Sequence, residues 1–303
     1  MNVTFYSNGK LLLTAEYGVL DGALALAIPT KYGQFLEIEP KNIPSIEWES
    51  LDEKGETWFK ANFNPSSFRT ESTSDTAISK TLEKLLIRSR ELNPQFNYRQ
   101  HGLKVTTKLT FPRNWGLGSS STLINNIAQW AKVNPYELLK HSFGGSGYDI
   151  ACAQNNGPIH YQLVNGEPIV ETVKFDPPFS SQLFFVFLNK KQDSRIAIAN
   201  YRKQNSNRKV LVNELTKLTK KISTESNLMN FETHVTEHEE LLSNALHLEP
   251  VKSQLFSDYS GAIKSLGGWG GDFILATGNE KTPDYFKAKG FTIVIPFRDM
   301  IFS

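Results

Sequence analysis

The chain has 303 residues, with 33 basic against 31 acidic side chains, a net charge of +2 and 39 % hydrophobic content. That length and apolar fraction suffice for one large domain or two joined lobes with a substantial core, and the balanced charge excludes an electrostatic footprint for nucleic acid or an anionic membrane. The single cysteine, Cys152, excludes an intrachain disulfide and suits a reducing compartment.

Strand signals dominate the first hundred residues, at 3–6, 10–13, 23–28, 34–38, 45–49 and 57–63, the last three with partial apolar and polar alternation. The opening MNVTFYSNGK lacks the basic region and apolar run of a secretory leader, and no stretch is long enough to span a bilayer, so a cytoplasmic location is expected. Residues 75–91 carry Ile78, Leu82, Leu85 and Leu86 at helical spacing. A strand at 103–109 follows and ends before Pro112.

Beyond Asp149 the pattern predicts a short helix and strands at 158–163 and 168–174. The pair Pro177 and Pro178 then reads as a boundary between lobes 1–178 and 179–303. The second lobe opens with the apolar run 183–188, suited to a central strand. Helical patterns cover 193–204, 207–223, 227–247 and 251–265, and strands close the chain at 272–276 and 291–295. Strands and helices mixed without strict alternation predict an α+β fold.

Chemistry concentrates in PRNWGLGSSST at 112–122. Leu123, Ile124, Ile127, Ala128 and Ala131 recur at three- and four-residue intervals, so a helix should begin near Ser119 or Ser120 with serines at its cap. The first turn of such a helix leaves backbone N–H groups unpaired at the positive end of its dipole, which favours a bound anion. Gly116 and Gly118 would let backbone approach that anion closely. An ordinary capped helix after a loop fits the same run equally well.

Other constellations fare poorly. The one Gly-Lys pair, Gly9 and Lys10, is followed by leucine, which excludes the P-loop, and no GxGxxG fingerprint is present. No GxSxG elbow surrounds a serine. His234 and His238 stand four apart, yet HExxH is missing and the neighbouring glutamates read as a solvated face. Trp48, Trp58 and Phe59 suit sheet packing better than base stacking, and Cys152, in the apolar run 150–153, reads as a buried structural thiol.

The run PRNWGLGSS resembles the PxxxGLGSS phosphate loop of the GHMP kinases, the family of galactokinase, homoserine kinase, mevalonate kinase and phosphomevalonate kinase. Three further segments fall where that family places its motifs: SNGKLLLTAEYGVLDGALALA at 7–27, GGSGYDIACAQNNGPIHYQ at 144–162 and LGGWGGDFILATG at 266–278. The resemblance implies an S5-like N-terminal lobe that binds nucleotide and a ferredoxin-like C-terminal lobe. It implies ATP and Mg2+ as cofactors and a small-molecule acceptor, with no nucleic acid or membrane partner and a homodimer as an option.

Residue by residue, the resemblance gives Pro112, Gly116, Leu117, Gly118, Ser119, Ser120 and Ser121 to the nucleotide, with Ser120 reaching magnesium and Ser119 the alternative. Asp149 stands at the acidic position of the SGxD segment, where a carboxylate orients the acceptor hydroxyl and takes its proton; as a residue on its own it serves equally well as a helix cap. Lys10 ends the first motif and would attract the γ-phosphate while lowering the pKa of Asp149. Glu16, Tyr17, Ser146, Gly147 and Gly270 fall at acceptor-binding positions. The Glu-Tyr pair and the Gly-Gly-Asp ending at 270–272 lean toward phosphomevalonate kinase, with mevalonate the other acceptor.

Three features depart from the family pattern. Asn8 stands where proline is usual, Trp269 where alanine is common. Glu137 is the nearest candidate for a second metal ligand, but its spacing to Asp149 is longer by about one residue, roughly 100° of helix rotation. A nucleotide-binding sensor without turnover and a diphosphomevalonate decarboxylase are the alternatives on the same fold.

Overall fold

A computed structural model describes residues 2–96, 102–142, 144–190, 194–203 and 207–302. The chain folds into two compact units woven from interleaved segments: unit 1 comprises 1–9, 32–113 and 117–154, and unit 2 comprises 10–31, 114–116 and 155–303. The sequence sets a single boundary after residue 178. The structure interleaves the segments because two long strands, β1 (Val3–Leu12) and β2 (Ala25–Lys41), each begin in one unit and end in the other.

In unit 1 the second part of β2 pairs antiparallel with β6 (Gly102–Leu109), which pairs in parallel with β3 (Ile46–Leu51); β4 (Thr57–Phe63) and β5 (Thr70–Thr73) complete the order β5-β4-β3-β6-β2. Alternation decides which face is covered. In β3 the residues Ile46, Trp48 and Ser50 are buried while Glu47 and Glu49 face outward, as the two-residue side-chain period requires. Helices α1 (Thr76–Leu92), α2 (Ser119–Ala131), α3 (Pro135–Lys140) and α4 (Tyr148–Gln154) belong to this unit. Leu82, Leu85, Ile124, Ile127 and Ile150 join Trp48, Phe59 and Phe63 in one core.

In unit 2 the first residues of β2 pair with β7 (Ile159–Val164), which pairs with β8 (Glu167–Thr172). A separate antiparallel sheet has the order β10-β11-β9-β12, from β9 (Leu183–Phe187), β10 (Ile263–Ser265), β11 (Phe273–Thr277) and β12 (Val294–Pro296). The apolar run of the sequence is its central strand β9, buried at every position. Helices α5 (Ser194–Lys203), α6 (Arg208–Thr224), α7 (Leu228–Leu246), α8 (Val251–Leu255), α9 (Thr282–Ala288) and α10 (Phe297–Met300) complete the unit.

Two expectations need revision. The strands expected at 3–6 and 10–13 are the one strand β1, and those at 23–28 and 34–38 the one strand β2; Gly33 lets β2 pass close to β1, where an added Cβ would lie 2.2 Å from the Ser7 carbonyl oxygen. The helix expected over 251–265 stops at Leu255. Gly261 is required where the chain turns against the Thr277 carbonyl oxygen, 2.1 Å from an added Cβ, and the remainder becomes β10. The helix expected over 193–204 is described as α5, while residues 193 and 204 lie outside the described residues.

Among the described residues no helix is long and apolar enough to cross a membrane. Cys152 is buried as expected. Ile127, fully buried between α2 and the unit 1 sheet core, should lose about 2–5 kcal/mol of stability as Ile127→Ala, read from urea unfolding midpoints.

Candidate functional site

Helix α2 begins at Ser119, and its N-cap position is Gly118 in the left-handed conformation, φ 88°, without a side-chain cap. The sequence suggested serines at the cap. The structure puts glycine there instead, because the chain reverses into the helix through a backbone conformation that residues with a Cβ avoid. With no capping side chain and no acidic residue in the first turn, the amides at this end present positive partial charge to whatever lies beyond.

The three serines separate by role. Ser120 is exposed and Ser119 half-buried. Ser121 is 2 % exposed and its hydroxyl donates to the Gly118 carbonyl oxygen at 2.8 Å, so it holds the loop from within. Thr122 donates to Gln34 Oε1 at 2.7 Å, and Asn126 Nδ2 donates to the Gln34 carbonyl oxygen at 2.8 Å. Ser7 completes the support, donating to Asn126 Oδ1 at 2.7 Å and accepting from Asn125 Nδ2 at 2.9 Å. A buried polar network of this kind fixes the helix against β1 and β2, since each group would be costly to leave unpaired. Leu117 is fully buried and Pro112 half-buried beside it in sequence.

Helix α4 packs on α2 within the same unit, which brings Asp149, in its first turn, to the element that carries Ser119, Ser120 and Ser121. The Asp149 carboxylate is half-buried and accepts from the Ile150 amide at 3.1 Å. Ser146 is half-buried, and the Gly147 carbonyl accepts the Ala151 amide at 3.1 Å, starting α4. Glu137 lies on α3 with its carboxylate 3.8 Å from His141 Nε2. The hydroxyl of Tyr136, the residue before it, is pushed up to about 12, first by burial and then by the negative potential of Asp149.

Unit 2 holds Lys10, Glu16, Tyr17, Gly116 and Gly270. Lys10 is half-buried on β1. Gly116, φ 68°, lies against Asp272: an added Cβ would stand 2.3 Å from Asp272 Oδ2. The neighbouring Trp115 packs edge-on against Phe273, 5.5 Å between centroids. Tyr17 donates to the Gly268 carbonyl oxygen at 2.9 Å, so the first and third sequence motifs meet directly in this unit. Gly270 takes φ 77° in the same glycine-rich turn.

Glu16 is fully buried. Its Oε1 accepts from Lys264 Nζ at 2.6 Å, and Oε2 lies 3.8 Å from His238 Nε2. His238 Nε2 accepts the Ala15 amide at 2.8 Å, which fixes the neutral ring; burial, with Lys264 nearby, holds its pKa well below the usual range. Lys264 also lies 3.8 Å from Glu239 Oε2, and Glu239 accepts from the Ser265 hydroxyl at 2.6 Å. Burial outweighs the attraction of Lys264 and pushes Glu16 up to about 7. Ala15 and Tyr17, on either side, take φ 62° and 61°, each costing about 1–3 kcal/mol for a residue with a Cβ.

Sequence reading missed this cluster. His238 and Glu239 were expected on a solvated face, yet both are buried, because α7 turns that face onto β10. The one available signal was Lys264 itself, a lysine set among apolar residues in a short strand, where a charge is tolerated only if paired.

The residues of α2 suit a phosphate group: open amides, an exposed hydroxyl at Ser120 and no acid in the first turn. Among the described residues no group of three or more His, Cys, Asp or Glu side chains could hold a metal ion.

Two measurements check this geometry. Gly116→Ala should lower stability by about 1–3 kcal/mol in chemical denaturation, from positive φ and the clash with Asp272 together. Glu16, with its folded pKa raised from 4.5 to about 7, contributes stability that is full below about pH 4.5 and lost as pH rises through about 7. Glu239 and His238 titrate beside it and Lys264 faces it, so the comparison is with Glu16→Gln: the unfolding free energy of the wild type minus that of the variant should fall between pH 5 and pH 8.

No protein-family model matches the chain, and no curated protein matches it in sequence. Solved structures do. The mevalonate kinase of Methanococcus jannaschii superposes with a TM-score of 0.68 at 15% identity, covering 97% of this chain and 96% of that one. The phosphomevalonate kinase of Streptococcus pneumoniae, in complex with phosphomevalonate and AMPPNP, gives 0.66 at 14% identity over 95% of each chain. The galactokinase of Lactococcus lactis gives 0.64 at 13% identity over 95% of this chain and 89% of that one. A mixed α and β architecture matched over nearly full length by three such enzymes means that the chain has the GHMP kinase fold.

Proposed function

We propose that this chain is an ATP- and magnesium-dependent kinase of a small metabolite, with phosphomevalonate and mevalonate the leading acceptors. One observation carries the reading: helix α2 starts without a side-chain cap at a left-handed glycine, inside a GLGSS run, with Asp149 on the helix packed against it. The likeness in fold to mevalonate, phosphomevalonate and galactose kinases supports it.

In this reading the amides of residues 116–119 hold the terminal phosphates and Ser120 supplies its hydroxyl to the metal. Magnesium, when bound, would neutralise charge developing on the transferred phosphoryl group. Glu137 on α3 is the candidate for a second metal ligand. Asp149 accepts the proton of a hydroxyl acceptor as its oxygen bonds to the γ-phosphorus and the bond to the β-phosphate oxygen breaks. Lys10 supplies positive charge to the γ-phosphate. Tyr17 and the glycine-rich turn at 266–272 supply acceptor contacts, leaning on the Glu-Tyr and Gly-Gly-Asp sequence features.

An already phosphorylated acceptor is ionised near neutral pH and needs no base, so positioning and cationic charge would provide most of the rate. Asp149→Asn therefore separates the acceptors. With mevalonate, turnover should fall about 10²–10⁴-fold with ATP affinity little changed; with phosphomevalonate the loss should be much smaller. A coupled ADP-release assay over mevalonate, phosphomevalonate, homoserine and sugars reads both. Saturable ATP binding with no product from any acceptor would favour a sensor, and release of carbon dioxide would favour a decarboxylase.

A further inference from the structure

Glu16 falls where the sequence motif suggests an acceptor contact, but its carboxylate is sealed beneath the surface. Four groups from two other elements of unit 2, β10 and α7, converge there. Lys264 on β10 donates to Glu16 Oε1 at 2.6 Å and to the Ser265 carbonyl oxygen at 2.9 Å. His238 on α7 accepts the amide of Ala15. Glu239, the next residue, accepts from both the hydroxyl and the amide of Ser265.

The geometry above this cluster is what needs holding. Ala15 and Tyr17 both take positive φ, a backbone arrangement that persists only where surroundings impose it. Glu16 lies between them and is the tether. Its partner Lys264 begins the segment that runs through Ser265 into the turn containing Gly268, whose carbonyl accepts the Tyr17 hydroxyl. The 15–17 turn is thus joined to the 263–272 segment twice: by Tyr17 to the Gly268 carbonyl oxygen, and by Glu16 to Lys264.

We propose that Lys264 is a positioning residue for the acceptor contacts: by gripping Glu16 from below it locks residues 15–17 and the 266–272 turn into one shared geometry. The inference rests on the kinase reading for its catalytic consequence, though not for the lock itself. Lys264 touches no reacting atom. Its effect is to present Tyr17 in a fixed orientation.

Hydrogen exchange tests the lock without any assay of activity. Lys264→Met should speed amide exchange about tenfold or more in peptides covering both 13–22 and 263–273, with the α1 peptide 76–92 unchanged. Where that variant fails to fold, Glu16→Ala, which removes the acceptor for Lys264, should loosen the same two peptides. Kinetics then tests the consequence: Lys264→Met should raise the acceptor KM about tenfold with the ATP dissociation constant changed by less than about threefold, and Lys264→Arg should recover most of the loss. Loosening of only one peptide, of neither, or of the whole chain would overturn the proposal. An inactive wild type with the paired loosening intact would instead defeat the kinase reading and leave the lock standing.

Discussion

The structure depends on how one helix begins. An α-helix must leave its first amides without intrahelical partners, and four helices among the described residues answer with a side chain: Asp75 caps α1, Asn134 caps α3, Asn207 caps α6 and Asn227 caps α7. Helix α2 does not. Its N-cap is Gly118, and the hydroxyls nearby are either exposed, as at Ser120, or turned back to the loop, as at Ser121. A helix left open in this way carries a cost unless another group completes it, and an anion is the natural complement.

The surrounding sequence makes that open end rigid. Beneath α2, Gln34, Asn125, Asn126 and Ser7 form a connected set of buried hydrogen bonds, while Ile124, Ile127 and Ala128 enter the core of unit 1. Helix α4 packs on the same helix and brings Asp149 with it. Unit 2 shows the same economy by different means. There a strained turn at 15–17 is held by a buried hydrogen bond from Lys264 to Glu16, 248 residues away in sequence.

What could be read from the sequence was local. PRNWGLGSS declares a turn and a helix start within nine residues, so the start of α2 was legible, as were the 57–63 strand and the 75–91 helix, where one period runs without interruption. The choice of cap was not, because serine and glycine compete for it and only the backbone conformation decides. The buried cluster was invisible for another reason: His238 and Glu239 look solvated beside Glu237 and Glu240, and nothing local says that α7 lays this face on β10.

The central claim, that the open end of α2 grips phosphate, is most directly tested by following backbone amide resonances during nucleotide titration. ATP should shift the amides of residues 116–120 strongly, while adenosine, lacking phosphate, should leave them in place. Equal shifts with both ligands, or ATP-dependent shifts that avoid this segment altogether, would contradict the account.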